Sequence, residues 1–302
     1  MTDIFVRAGS FLLIIVLGYV LKRVGFFGKD DHRLVSKIVL NVTLPATIIV
    51  NFSSTEVEPW LLLMFALGLF GNLVLLAAAM AFGRGADWST RKLRMLNYPG
   101  YSIGCFTLPF AQSFLGPVGV ITCSLFDVGN AFVCLGGAFS VAAMVKDGGR
   151  FSAKRIVKSL AKSVPFVCYL IMLFLNLTRI PVPGAVVSCA RMVADANAFM
   201  AMLMIGVGFK LGGDRSQIGR IVKLLSIRYA LAAVLALAFY NLLPFDLAVR
   251  QALVILVFSP IGSAVPGFTG ELKGDVGLSS ALNSLSIVIS IVIIVTLLSV
   301  ML

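Results

Sequence analysis

Long apolar runs separated by short polar stretches recur along the whole chain, and each run is about as long as a membrane is thick. About 20 apolar residues in a helix cross the hydrocarbon core of a bilayer. Read in order, the pattern predicts ten such helices: Ile4 to Val24, Leu34 to Phe52, Pro59 to Phe82, Arg94 to Leu115, Pro117 to Val145, Ser163 to Ile180, Ala185 to Leu211, Ile218 to Leu243, Asp246 to Gly270 and Asp275 to Leu302. The expected fold class is therefore an all-α membrane protein. The first run lacks the basic start and small-residue cleavage site of a signal peptide, so it reads as a retained helix.

Two of the runs have a composition that a lipid-facing helix does not tolerate. The stretch Asn97 to Asn130 holds Pro99, Pro109 and Pro117 together with several glycines. Proline removes a backbone donor and clashes with the preceding turn, so the fourth helix is expected to break near Pro109. Broken backbone at membrane depth survives only when buried in protein or lining a wet cavity. The pattern returns in the second half: Ile103-Gly104 matches Ile261-Gly262, Phe110 matches Phe268, and Gly116-Pro117-Val118-Gly119 matches Gly274-Asp275-Val276-Gly277 in the same register. Pro109 has its counterpart at Pro266, one position out of register, and Pro260 stands where the first copy has Ser102. Paired Gly/Pro-interrupted spans in two halves point to the binding site of a carrier.

Charge adds orientation. Only 13% of the 302 residues are charged, about half the share of a soluble domain. The net charge of +12 does not indicate nucleic acid, because the basic residues lie between apolar runs. Lys22, Arg23, Lys29, Arg33 and Lys37 follow the first run; Arg84, Arg91, Lys92 and Arg94 the third; Lys146, Arg150, Lys154, Arg155, Lys158 and Lys162 the fifth; Lys210, Arg215, Arg220 and Lys223 the seventh. Even-numbered loops are nearly bare. Lys/Arg excess marks the cytoplasmic side, which puts both termini outside. Five spans per half then require an inverted second repeat, with residues 1–146 and 163–302 as the repeats and 147–162 as a basic cytoplasmic linker. The five cysteines all fall within apolar runs without metal-ligand spacing, and are expected as free thiols.

Four segments carry a family likeness. Ser102-Ile103-Gly104-Cys105-Phe106-Thr107-Leu108-Pro109-Phe110 resembles the broken-helix motif of the auxin efflux carrier family, NTGFLGLPL in many prokaryotic members. Asn41-Val42-Thr43-Leu44-Pro45-Ala46 resembles that family's NxxLPA signature, and Phe126-Asp127-Val128-Gly129-Asn130 its fifth-helix motif. The segment from Pro260 through Leu272 is similar to its second broken helix. The resemblance covers essentially the whole chain and implies ten helices in two inverted five-helix repeats, helices 4 and 9 broken and crossed at the midplane. It further implies a moving bundle against a scaffold, a homodimer, and carriage of organic anions such as auxin, malonate, malate or lactate. The short loop between the halves resembles that of the family's prokaryotic form, and this resemblance implies a bacterial inner membrane. Ser102 replaces the usual Asn, Thr107 a Gly, and Ala264 another Asn, so this site is less rich in amides than the family pattern.

Broken helices expose N–H groups at one half-helix start and C=O groups at the other half's end, which suit an anion and a cation respectively. Ser102, Thr107, Ser259 and Ser263 add hydroxyls, and Gly104, Pro109, Pro260 and Gly262 shape the breaks. Asn41 and Asn130 join the candidate substrate site through the family motifs. Hydroxyls in helices also bond back to their own carbonyls, the bland alternative. Asp127, Arg191 and Asp195 are the charges expected inside spans. Arg191 and Asp195 are four apart and suit an internal pair, whereas Asp127 has no partner in sight on its helix and suits a coupling proton or sodium ion. No cofactor or metal is implied. Catalytic motifs such as HExxH and GxSxG are absent, and Asp127 with Asp195 lacks the context of an intramembrane aspartyl protease. A membrane receptor that binds a small ligand without transport is the alternative to a secondary carrier.

Overall fold

The computed structural model describes residues 2–28, 30–147, 152–209 and 217–302. Lys29, Arg150, Lys210 and Arg215, counted above toward orientation, lie outside the described residues.

Helix follows helix: α1 (Thr2–Arg23), α2 (Asp31–Ile38), α3 (Leu44–Ser54), α4 (Leu63–Ala81), α5 (Trp88–Asn97), α6 (Leu108–Phe114), α7 (Gly116–Phe132) and α8 (Ala138–Asp147) make up the first half. Next come α9 (Ala153–Lys162), α10 (Val164–Leu177), α11 (Gly184–Ala194), α12 (Asn197–Gly208), α13 (Ile218–Leu242), α14 (Leu247–Val257), α15 (Val265–Glu271) and α16 (Val276–Met301). Among the described residues six helices are long and apolar enough to cross a membrane: Asp31–Ser54, Pro59–Ala81, Gly116–Val145, Gly184–Gly208, Ile218–Leu242 and Val276–Met301. The pair α9 and α10, bent by 80°, makes a seventh. The expected fourth and ninth spans are each split into two short helices, so neither reaches spanning length in one piece. The linker expected over 147–162 contains a helix, α9, whose N-terminus is capped by the Ser152 hydroxyl. Its apolar Ile156 and Leu160 are buried while Lys154, Lys158 and Lys162 are exposed.

Polarity runs inside out. Leu13, Leu237 and Val300 point outward at 64% exposure or more, while Asn72, Asn130, Ser286 and Arg228 are buried at 2% or less. That distribution suits a lipid solvent, in which polar side chains must turn toward protein. Small residues let the backbones meet. A Cβ built on Gly206 of α12 would stand 2.1 Å from the Ile15 carbonyl oxygen of α1, and one on Gly68 of α4 2.1 Å from that of Phe126 on α7. Glycine is required at both contacts.

The first break does not lie at Pro109. Chain regularity is lost over 98–102, where Pro99 cannot extend α5 and Gly100 takes φ +86°. Pro109 sits in the first turn of α6, where the missing N–H costs little. A π-turn over Ile103–Thr107 leads into it, with Leu108 N–H bonded to the Ile103 carbonyl five residues back. The same arrangement occurs at Pro45, where a π-turn over Val39–Thr43 precedes α3. A wide turn ending in Thr is followed by Leu-Pro in both places, and the widening takes up the proline's clash with the carbonyl behind it. The second break covers 258–264, between α14 and α15.

Candidate functional site

The two breaks cross and bond to each other. Ser102 N–H donates to the Pro260 carbonyl at 2.9 Å, and Tyr101 pairs with Ile261 in an isolated antiparallel bridge. Thr107 and Ser259, both wholly buried, share a hydroxyl–hydroxyl hydrogen bond of 2.5 Å across the same junction.

Each break is then held by the last long helix of its own half. From α7, the Asn130 amide accepts from Tyr101 N–H (3.0 Å) and donates to the Tyr101 carbonyl (2.8 Å). Asn72 of α4 accepts from Gly100 N–H at 2.6 Å and donates to Asn130 Oδ1 at 3.2 Å. From α16, Asn283 donates to the Ile261 carbonyl (2.8 Å), Ser286 accepts from Ile261 N–H (3.0 Å), and Ser290 donates to the Phe258 carbonyl (2.6 Å). Irregular backbone in a membrane interior needs such partners, because water is not there to supply them.

A cavity of about 160 Å³ lies against the crossing. Its polar lining comes from Ser102, Asp127, Asn130, Ser163 and Ser263, with Gly104 and Gly262 at its walls. Both glycines admit close neighbours from α7 and its continuation. A Cβ on Gly104 would stand 3.3 Å from Asp127 Oδ2 and 2.7 Å from a Leu44 methyl, and one on Gly262 2.7 Å from the Cys134 sulfur. Asp127 does have a partner on its own helix, since its Oδ1 accepts from the Asn130 amide at 2.9 Å, which corrects the expectation of an isolated carboxyl. Tyr169 of α10 also lines the cavity, with its hydroxyl buried. Asp127 is the one carboxylate among the described residues lining the cavity, and no Lys or Arg joins it there.

The candidate residues thus divide by position. Ser102, Gly104, Gly262, Ser263, Asn130 and Asp127 surround the cavity. Thr107, Ser259 and Pro260 belong to the crossing but do not line the cavity, and Pro109 lies beyond it on α6. Asn41 is exposed and donates to the Lys37 carbonyl of its own helix, in a groove facing α11. Arg191 and Asp195 are exposed on α11 and at its end, so an Asp127–Asp195 pair is not assembled.

Arg228 escaped the sequence reading. It is 1% exposed on α13, donates from Nη1 to the Tyr98 carbonyl (2.9 Å), and from Nη2 to the carbonyls of Gly100 (3.2 Å) and Ser259 (3.0 Å). An arginine near the middle of a 25-residue apolar helix was the available signal, as an intramembrane charge marks function by default.

The crossing of two broken segments, with a polar cavity beside it, lies within a set of helices long and apolar enough to cross a membrane. Residues 10–144, nearly all of the first half, match the family model described as membrane transport protein. The match bears out the resemblance to the auxin efflux carrier family drawn from the motifs. The chain is also similar to a protein of Methanothermobacter thermautotrophicus (strain Delta H) named an uncharacterized transporter. The two are 25% identical over 215 residues, which span 67% of this chain and 66% of that relative, just under two thirds of its length.

Proposed function

We propose that the protein is a secondary carrier of small organic anions that works by alternating access at the crossing. The observation that carries this reading is the Ser102–Pro260 backbone bond with the cavity beside it, since the lining includes residues of both broken segments. Such a junction holds a ligand between two halves that can rock past each other. A volume of about 160 Å³ suits a ligand of a few heavy atoms, which favours a small carboxylate. With Asp127 as the charge on the lining, an anion enters against a like charge unless a proton or cation accompanies it. Coupling to a proton or sodium gradient follows.

The architecture we infer is ten spans in two inverted five-helix repeats, residues 1–146 and 163–302. Its support is the pairing of packing contacts: α1 packs on α12 as α10 packs on α3, and each break is held by an amide from the last long helix of its own half. Both termini face outward on the Lys/Arg asymmetry of the loops. The homodimer and the bacterial inner membrane rest on the family resemblance.

Uptake into proteoliposomes of labelled mono- and dicarboxylates, chosen by thermal-shift screening, tests the proposal. Imposed proton and sodium gradients should drive accumulation of an anion that also raises the unfolding temperature. Ser102→Ala removes a cavity hydroxyl, and should weaken binding of that anion by about 1.5–3 kcal/mol, roughly tenfold to a hundredfold. Saturable binding without any uptake would replace the carrier with a receptor.

A further inference from the structure

Two half-helices, α5 and α14, run into the crossing with their C-terminal ends. The carbonyls there have no intrahelical partner, and each helix end carries roughly half an elementary negative charge. Brought together, the two ends amount to about one negative charge buried in protein, which is a place for one cation. The Arg228 guanidinium occupies it. Its three hydrogen bonds run to Tyr98 and Gly100 after α5 and to Ser259 after α14, so one side chain ties both ends. No acidic side chain among the described residues forms an ion pair with it, and its Nε–H has no acceptor. A buried charge without a counter-ion is strongly unfavourable, and here the facing carbonyl dipoles supply the compensation. Arg228 also faces the Tyr101 ring, 5.4 Å from its centre, on the residue that bridges to Ile261.

We propose that Arg228 is a resident cation at the crossing, filling the carbonyl site that would otherwise take a metal ion and locking the two broken helices together. Guanidinium suits the position because it is planar, permanently charged and offers several donors in fixed directions. The crossing then assembles without sodium, and any gradient coupling falls to the Asp127 side of the junction.

The test uses the purified full-length protein without substrate, so its outcome is independent of whether the protein transports. Thermal unfolding is followed in sodium chloride and in choline chloride at equal ionic strength. The wild-type midpoint should be the same in both. Arg228→Ala empties the site: its midpoint should fall by several degrees, and millimolar sodium or guanidinium, but not choline, should restore part of the loss. Arg228→Lys keeps a point charge that reaches fewer carbonyls, and should be intermediate and insensitive to sodium. A sodium-specific rise in wild type or in Arg228→Lys overturns the proposal, as does an Arg228→Ala midpoint that no small cation moves. If Arg228→Ala does not survive purification, the wild-type and Arg228→Lys comparisons decide the matter.

Discussion

Replacing Asn130 with alanine is predicted to destabilise the protein more than any other single change at the first break. The amide is 2% exposed and makes four hydrogen bonds, to both main-chain groups of Tyr101, to Asn72 and to Asp127. Truncation leaves the Tyr101 N–H without a partner, and leaves its C=O without the Asn130 donor. Each such group costs about 1–3 kcal/mol when stranded, so the loss should be about 2–6 kcal/mol. That is a large share of the 5–15 kcal/mol or so that separates a folded domain from its unfolded chain. Asn72→Ala strands a single main-chain group, Gly100 N–H, and should cost about half as much. A thiol-reactive fluorophore suits the measurement, because Cys105 and Cys123 are buried and free and report their own exposure on heating. An Asn130→Ala midpoint equal to wild type, or one above that of Asn72→Ala, would refute the reasoning.

Three further outcomes are expected. Gly206→Ala forces a Cβ to within 2.1 Å of the Ile15 carbonyl and should part α1 from α12, costing about 1–3 kcal/mol or more, while Gly9→Ala, with nothing within 4 Å, should be neutral in the same unfolding assay. Asp127→Asn should fold normally yet lose the stimulation of uptake by a proton or sodium gradient; unchanged gradient dependence in that variant would move coupling elsewhere. In a background lacking the native five cysteines, single cysteines at Ser89 and Ser152 should label from the cytoplasm and one at Ser54 from outside, and same-side labelling of Ser54 and Ser152 would remove the inverted repeat.

Much of this molecule was determined by the sequence alone. Apolar run length and the positions of Pro and Gly foretold helices throughout and two interruptions in matching places. These features are legible because helix propensity, proline's missing donor and lipid solubility are properties of a residue and its near neighbours. The motifs likewise brought Ser102, Gly104, Asp127, Asn130, Gly262 and Ser263 forward, and the fold gathers all six around the cavity. Only the tertiary structure decided where the first helix breaks, since a proline at a helix start and one in its interior look alike in sequence. Pro109 follows a π-turn and continues a helix, whereas Pro99 and Gly100 end one. It also decided the partners. Asn41, marked by its motif, faces outward, while Arg228 enters the crossing and bonds to carbonyls of Tyr98, Gly100 and Ser259. Every residue carries a carbonyl, so no residue letter announces which ones will be left unpaired at the same point in space; that depends on two helices ending side by side.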